Sequence, residues 1–143
     1  MKKKDVIMKR AGFTMIELIF VIVVLGILAA VAVPKLAATR DDALIVKGKA
    51  DVAAIRSGIV SERQVRFVRG EHDYISAAGL SGSKLFDGVM MYGITATTGN
   101  GWATGTGSGA YTYTAAGTTT AFTYNPADGT FTCSGGDCAQ LTN

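Results

Sequence analysis

Gly12-Phe13-Thr14-Met15-Ile16-Glu17-Leu18 opens an apolar run that continues through Val33 to Pro34. Between Phe13 and Val33 only Thr14 and Glu17 are strongly polar. At a rise of ~1.5 Å per residue, a helix over this run spans about 31 Å, which matches the hydrocarbon core of a bilayer. The sequence therefore predicts a membrane-spanning helix over residues 13–34.

The basic charge of the chain is concentrated before this run. The whole chain has a formal net charge of +3 and a pI near 9.0. The leader, residues 1–12, carries a net +4 from Lys2, Lys3, Lys4, Lys9 and Arg10 against Asp5, whereas the remaining chain has a formal charge of −1. These cations favour a cytoplasmic N-terminus. Once the leader is removed, the charge gives no reason to expect a nucleic-acid partner.

Three simpler interpretations compete for residues 1–34. A secretory signal peptide would be cut after Ala30-Val31-Ala32, but the apolar run is too long for such a signal and Glu17 is out of place. A plain signal anchor leaves Glu17 unexplained, because a charge at mid-depth of a membrane costs ~2.5–3.5 kcal/mol and usually has a function. A buried helix of a soluble protein conflicts with the missing polar face.

A more specific interpretation comes from the residues around Gly12. Lys9-Arg10-Ala11-Gly12, followed by Phe13-Thr14-Met15-Ile16-Glu17-Leu18, resembles the class III signal of type IV pilins and type II secretion pseudopilins. The resemblance is specific from Gly12 to Pro34 and weaker from there to about Arg69. The C-terminal part of the chain, residues 70–143, contains no motif of the family. It implies that a prepilin peptidase cuts between Gly12 and Phe13, and that the new amino group of Phe13 is N-methylated.

Glu17 would then be the fifth residue of the mature chain. With the leader gone, the α-ammonium group of Phe13 is the nearest cation. Between parallel helices shifted along their axes, the two groups can form a buried, charge-assisted pair. Burying either partner alone would cost several kcal/mol, so the pair selects the register of assembly. The resemblance gives Glu17 this same assembly role.

The helix is expected to continue beyond Pro34 in an amphipathic half, residues 35–69. Pro34 and Gly26 are weak points where the helix can kink or loosen, and the resemblance implies that the segment between them can melt during assembly. Two stripes recur at helical spacing. The stripe of smaller residues contains Leu36, Ala43, Val46, Ala50, Ala53, Ser57 and Val60, and the stripe of larger residues contains Ile45, Val52, Ile55 and Ile59. They predict either two contact faces, with the larger residues in the head core, or one wide core face.

The end of this helix is basic, with Arg56, Arg63, Arg66 and Arg69. Cations near a helix C-terminus are favoured by the helix dipole and are often simply solvated. The alternatives are salt bridges to Asp41, Asp42 or Asp51 of a neighbouring copy shifted along the axis, or contact with nucleic-acid phosphates.

The head, residues 70–143, is expected to begin with a linker over 70–83 that holds an exposed, uncommitted His72. Residues 84–92 would form an apolar plug, and the Gly-rich residues 99–109 a mobile loop. Thr, Tyr and Gly content predicts strands over 110–114, 119–124 and 130–133, with a hairpin loop at 125–129. The predicted fold class is α+β: a long N-terminal helix packed on a small C-terminal antiparallel sheet, in a pilin-like arrangement.

Cys133 and Cys138 lie in the part of the chain predicted to leave the cytoplasm, where disulfides persist. A disulfide is the favoured interpretation of their spacing, and a metal site is the alternative. Asn125, Asp128 and Asp137 could ring a Ca²⁺ ion, but their spacing matches no calcium loop. We expect no cofactor, and no constellation of catalytic residues is present, so we do not expect an enzyme.

These features predict a structural subunit of a type IV pilus-like filament. The precursor would be inserted in the inner membrane with a cytoplasmic N-terminus and would be processed there by a prepilin peptidase. With an assembly platform it would then polymerise as a helical homo-oligomer, an extracellular or periplasmic filament. The alternatives are a pseudopilin of a type II secretion system and, from another class, a membrane-anchored filament-tip adhesin or DNA-binding minor pilin.

Overall fold

The computed structural model describes residues 12–142, so the leader's cations, all within residues 1–11, lie outside the described residues. The chain divides into two compact units, Met1–Ala38 and Thr39–Asn143. In chain order the described elements are helix α1, the short helix α2, four strands and the short helix α3. The predicted α+β, pilin-like architecture of one long helix and a small sheet is confirmed.

Helix α1 runs from Met15 to Val68 and passes through Gly26 and Pro34 without ending. Its C-terminus is closed by Gly70, which has a φ of 84°. The amide of Gly70 donates to the carbonyl of Phe67, and the amide of Glu71 donates to that of Arg66, each at 3.0 Å. This pair of bonds is the Schellman motif, and it satisfies two carbonyls that the helix end would leave unpaired.

The sheet is antiparallel with the strands in chain order, β1-β2-β3-β4. The strands are β1 Gly101–Thr104, β2 Ala110–Ala115, β3 Thr118–Asn125 and β4 Thr130–Gly135. The β2–β3 hairpin turns on two residues, Ala116 and Gly117, with φ values of 51° and 77°. Two positive φ values are characteristic of the type I′ turn, whose twist matches that of paired strands.

The head core forms between one face of α1 and one face of the sheet. Val52, Ile55 and Ile59 of α1 are buried against aromatic rings of the sheet. Phe86, with no exposed surface, lies among these rings, 5.2 Å from Trp102 and 4.4 Å from Tyr111 between centroids. The buried sheet residues are Gly101, Trp102, Tyr111, Tyr113, Ala115, Thr120, Phe122, Tyr124 and Phe131.

Hydrogen bonds at the rim of this core tie aromatic side chains to their surroundings. Trp102 Nε1 donates to Asp51 Oδ2 of α1 at 3.1 Å. The Tyr113 hydroxyl donates to the Leu44 carbonyl of α1 at 2.6 Å, and the Tyr124 hydroxyl donates to the Ile75 carbonyl at 2.8 Å. Each bond satisfies a polar atom of an otherwise apolar side chain, so the ring can be buried without an unpaired donor.

The structure decides between the two interpretations of the helical stripes. The larger residues are turned into the core, with Ile45 half-buried, whereas every residue of the stripe of smaller residues, from Leu36 to Val60, is exposed. The prediction of one wide core face is therefore wrong. Bulky aromatic rings under the sheet need the larger aliphatic side chains to fill the space between the layers.

Three predictions about loops also need correction. Residues 99–109 are not one mobile loop, because β1 lies within them and Trp102 is 1% exposed. Residues 70–83 are more than a linker, since Ile75 and Leu80 are buried and α2 spans Ala77–Leu80. His72 is exposed as expected, but its ring packs edge-on against Phe67 at 5.5 Å, so it is not uncommitted.

We expect Gly58→Ala to lower the free energy of unfolding of the head by about 1–3 kcal/mol, as overpacking usually does. A Cβ atom at Gly58 would lie 2.3 Å from the Val89 carbonyl oxygen, so the plug of residues 84–92 must move off the helix. Urea unfolding of the full chain in detergent, followed by Trp102 fluorescence, measures the change. The neighbouring exposed substitution Ser57→Ala is the control and should leave the midpoint unchanged.

We expect the stability of the head to fall as the pH rises above about 10, the ordinary pKa of tyrosine. Burial raises the pKa of Tyr111, Tyr113 and Tyr124 above the ordinary value of 10.0. The neutral hydroxyl is favoured in the folded state, so its stabilisation is complete below pH 10 and is lost as the pH approaches the folded-state pKa values. Unfolding midpoints measured from pH 7 to 11.5 test this. Tyr113→Phe should be less stable than the unmodified chain at pH 7, yet its stability should fall less as the pH rises. An equal fall in both proteins would contradict the role given to the buried tyrosines.

Candidate processing and assembly site

The predicted cleavage position lies just before the first turn of α1. Gly12, Phe13 and Thr14 have no regular secondary structure and are exposed. Among residues 12–142, a Cβ atom built on Gly12 would meet nothing within 4 Å, and Phe13 is 83% exposed. A protease needs a non-helical, uncrowded peptide bond, and the bond between Gly12 and Phe13 has both properties.

Thr14 caps the helix that begins immediately afterwards. The amide of Glu17 donates to the Thr14 carbonyl at 3.1 Å and to Thr14 Oγ1 at 3.3 Å, and the amide of Leu18 donates to the same carbonyl at 3.2 Å. Thr14 and Glu17 thus have the spacing of a capping box. The carboxylate of Glu17 lies in the first turn, where the positive end of the helix dipole favours a negative charge.

The side chains that follow form an apolar surface that no part of the described chain, residues 12–142, covers. Every residue from Phe13 to Arg40 is exposed, including the large aliphatic and aromatic side chains of the run. The helix is long and apolar enough in this region to cross a membrane. So much contiguous apolar surface is not stable in water, so it needs either lipid or other helices around it.

Glu17 is the only ionisable side chain between Phe13 and Pro34. The structure places it on the exposed surface of the helix, four residues from Phe13. Four residues of helix correspond to about 6 Å along the axis. A copy of the chain shifted by that distance would bring the amino group of its own Phe13 level with Glu17.

The basic end of α1 is largely occupied by contacts within the head. Arg56 Nε donates to the Phe131 carbonyl at 3.1 Å, and the Arg63 guanidinium lies 3.8 Å above the centre of the Tyr74 ring. Arg66 pairs with Glu62 at 3.5 Å and with Glu71 at 2.9 Å. Three of the four arginines therefore have partners in the same chain, and Asp51, bonded to Trp102, is also occupied.

Cys133 and Cys138 form the predicted disulfide, with their Cα atoms 5.7 Å apart. It joins the end of β4 to α3, Cys138–Thr142, a short helix that the sequence did not predict. Among residues 12–142 no three His, Cys, Asp or Glu side chains are grouped as a metal site would require.

The three residues considered for calcium make local hydrogen bonds. Asn125 Oδ1 accepts a hydrogen bond from the amide of Ala127, and Asp137 Oδ2 accepts one from Nε2 of Gln140. Asp128 accepts from both the hydroxyl and the amide of Thr130, and these two bonds hold the pKa of Asp128 below its ordinary value. These carboxylate and amide groups shape the turns that carry them.

Comparison with known proteins agrees with this geometry. Residues 7–33 match the model of the prokaryotic N-terminal methylation motif. The chain is 41% identical over 51 residues to the type II secretion system core protein G of Pseudomonas aeruginosa, and 48% identical over 50 residues to the type IV narrow pilus major component PilA5 of Thermus thermophilus. The predicted resemblance of the N-terminal segment to pilins and pseudopilins is confirmed, and residues 7–33 carry the pattern of that methylation motif.

The similarity is confined to part of each protein. The aligned stretches cover about a third of this chain, and only 36% of the secretion protein and 43% of the pilin. No solved structure matches the chain. The head therefore has to be interpreted from its own residues.

We expect replacement of both cysteines, Cys133→Ser with Cys138→Ser, to lower the free energy of unfolding by about 2 kcal/mol, the loop-closure value for so short a ring. The disulfide also fastens α3, which covers the core with the buried side chain of Leu141. Urea unfolding measures the fall in the free energy of unfolding, and hydrogen exchange followed by mass spectrometry measures the release of α3. Faster exchange in 136–142 is the expected result, and unchanged exchange there would contradict it.

Proposed function

We propose that this chain is the precursor of a structural subunit of a type IV pilus-like filament, and that it is not an enzyme. One observation carries the proposal: the exposed apolar segment of α1, in the region that matches the methylation motif, bears a single carboxylate one turn after the accessible bond between Gly12 and Phe13. An anchor needs the apolar length alone. The carboxylate and the cleavage position are needed only if the helix later leaves the membrane for a protein environment.

Processing occurs between Gly12 and Phe13 in this proposal, on the cytoplasmic side of the inner membrane. The exposed, non-helical bond supports it, as does the absence of crowding at Gly12. A prepilin peptidase removes the basic leader and the new amino group of Phe13 is methylated. The methylated amine keeps its positive charge, so it remains a partner for Glu17.

Assembly then transfers the helix from lipid to other copies of itself. Lipid tails are as apolar as leucine, so leaving them gives little hydrophobic gain, and association depends on close packing and polar contacts. Gly26, Ala29, Ala30 and Ala32 provide small side chains for close approach. Glu17 and the amino group of Phe13 in a neighbouring copy provide the polar contact. The resulting contact is head-to-tail and does not close, so it propagates as a filament under the control of an assembly platform.

Gly26 and Pro34 remain proposed weak points in this transfer. Pro34 lacks the amide that would bond within the helix, and Gly26 has no side chain to restrict its backbone. Local loosening between them would let the helix pack among its neighbours after it leaves the bilayer.

A pseudopilin of a type II secretion system is the second candidate, supported by the similarity to core protein G. The two candidates share processing and assembly and differ in where the polymer lies: outside the cell for a pilus, in the periplasm for a pseudopilus. The DNA-binding alternative is less well supported, since three arginines of the basic helix end are engaged within the chain.

The N-terminus of the polymerised protein tests the proposal. Material sheared from cells, or isolated from the periplasm, should consist of chains that begin at N-methylated Phe13, as measured by intact mass and N-terminal sequencing. Gly12→Val should leave the unprocessed precursor in the membrane. Polymer chains that begin after Ala32 would instead indicate a secretory signal.

We expect Glu17→Val to be processed normally but to lower the yield of polymer by at least about tenfold, because the amino group of Phe13 would be buried without a partner. Glu17→Asp keeps the charge and is the matched control, with an intermediate yield. Quantitative immunoblots of the sheared and membrane fractions measure both. Full polymer yield from Glu17→Val would overturn the assembly role.

A further inference from the structure

Phe86, the central residue of the plug, has a backbone conformation that is unusual for a bulky side chain. Its φ is 61°, in the left-handed region that favours glycine, and yet its ring is completely buried. A residue with a Cβ atom is strained there, so the conformation persists only where its surroundings impose it. The amide of Phe86 donates to Ser81 Oγ at 2.9 Å, and its carbonyl accepts from the amides of Val89 and Met90 at 3.1 and 2.8 Å. Hydrogen bonds on both sides of the residue therefore hold it in place.

The carboxylate of Asp87 closes the loop that leads to Phe86. Its Oδ1 atom accepts from the amide of Gly82 at 2.5 Å. Its Oδ2 atom accepts from the amide of Lys84 at 3.0 Å and from the hydroxyl of Ser83 at 3.2 Å. Donors from three successive residues thus converge on one carboxylate, and the chain is curved around it. This curvature brings Phe86 back toward the core.

The contacts that depend on Asp87 are local. Its three donors lie within five residues of it in the sequence. The plug is joined to α2 by the amide of Gly88, which donates to the Leu80 carbonyl at 3.3 Å, and it meets α1 where the Val89 carbonyl lies against Gly58. The strands are held by their own backbone pairing. A change at Asp87 can therefore free the plug while the sheet remains paired.

Titratable groups face Asp87 from three elements. They are Lys84 of the same loop, Glu62 of α1, which lines the same surface recess and is paired within α1, and Tyr111 of β2, whose pKa is raised by burial and further by the charge of Asp87. The bonds from the amides of Gly82 and Lys84 hold the pKa of Asp87 below its ordinary value of 3.8. The stabilisation that the carboxylate provides is therefore complete above pH 3.8, and it is lost as the pH falls through the lower pKa of the folded state.

We propose that Asp87 is an acid-released latch of the plug. While ionised, it holds the loop closed and keeps Phe86 in its left-handed conformation. A proton from the solvent neutralises the carboxylate, and its hydrogen bonds to the loop then weaken. The plug opens, and the ring of Phe86 leaves its place beside Trp102 and Tyr111. The latch belongs to the head and does not depend on how the chain is processed or assembled.

Removing the charge at pH 7 tests the latch without acid. Asp87→Ala should raise the amide exchange rates of residues 82–92 by at least about tenfold, whereas those of β2 and β3 should stay within about twofold. Asp87→Asn should give a smaller increase, because the amide oxygen can still accept. Hydrogen exchange of the full chain in detergent, followed by mass spectrometry, measures these rates.

Asp128→Asn is the matched control. Asp128 also accepts from an amide and a hydroxyl, both of Thr130, and these bonds hold its pKa below the ordinary value, but it lies in the loop between β3 and β4. This variant should leave the exchange of residues 82–92 unchanged. Unchanged exchange there in Asp87→Ala would overturn the proposal, as would an equal increase across the whole sheet.

The emission of Trp102, the only tryptophan of the chain, follows the release by acid. Trp102 is buried 5.2 Å from Phe86, so departure of the Phe86 ring admits water to the indole and should shift its emission to longer wavelength. In the unmodified chain the shift should appear below pH 3.8, and Asp128→Asn should keep it. Asp87→Asn should already have part of the shift at pH 7 and should lose the acid step.

The comparison of these two variants also removes the effect of Asp51. Its carboxylate bonds the Trp102 indole, so its own titration can change the emission. Because Asp51 is present in both variants, it contributes equally to each. An acid step of the same size in Asp87→Asn and Asp128→Asn would contradict the latch.

Discussion

The head depends on the packing of one face of α1 against the aromatic underside of a four-stranded sheet. A sheet with one apolar face must bury that face against another element, and Val52, Ile55 and Ile59 provide this second layer. The contact is oriented by polar groups on the helix, where Asp51 holds the Trp102 indole and the Leu44 carbonyl holds the Tyr113 hydroxyl. The helix face that remains exposed is therefore determined by the face that the core requires.

The sequence predicted most of this fold because its strongest patterns are local. Tyr and Thr alternate in β2, and the apolar run of α1 is long enough to be recognised by composition. The strand β1 was missed because Trp102 is its only bulky residue among Gly, Ala and Thr, and its burial depends on distant partners. Local sequence also could not show which of the two helical stripes enters the core, since both have helical spacing. The volume to be filled under the sheet determines that the stripe of larger residues does.

The candidate site could be proposed from the sequence because its residues are neighbours in one segment, and cleavage and pairing there remain predictions. Gly12, Phe13 and Glu17 lie within six consecutive positions. The structure adds the Thr14 cap and the exposure of every side chain of the apolar run. The contacts that engage the arginines within the chain could not be foreseen. Arg56 contacts Phe131, which is remote in sequence, and Arg63 contacts Tyr74, which lies in a loop.

The contact of Arg56 with β4 bears on a hazard that proteins with an open sheet edge face. β4 is an edge strand, and an uncovered edge offers backbone groups to the strands of other molecules. The Arg56 guanidinium occupies the Phe131 carbonyl on that edge and places a cation beside it. Amyloid-like stacking of heads is thereby discouraged, so a filament of the proposed kind would grow through its helix without competing aggregation through the sheet.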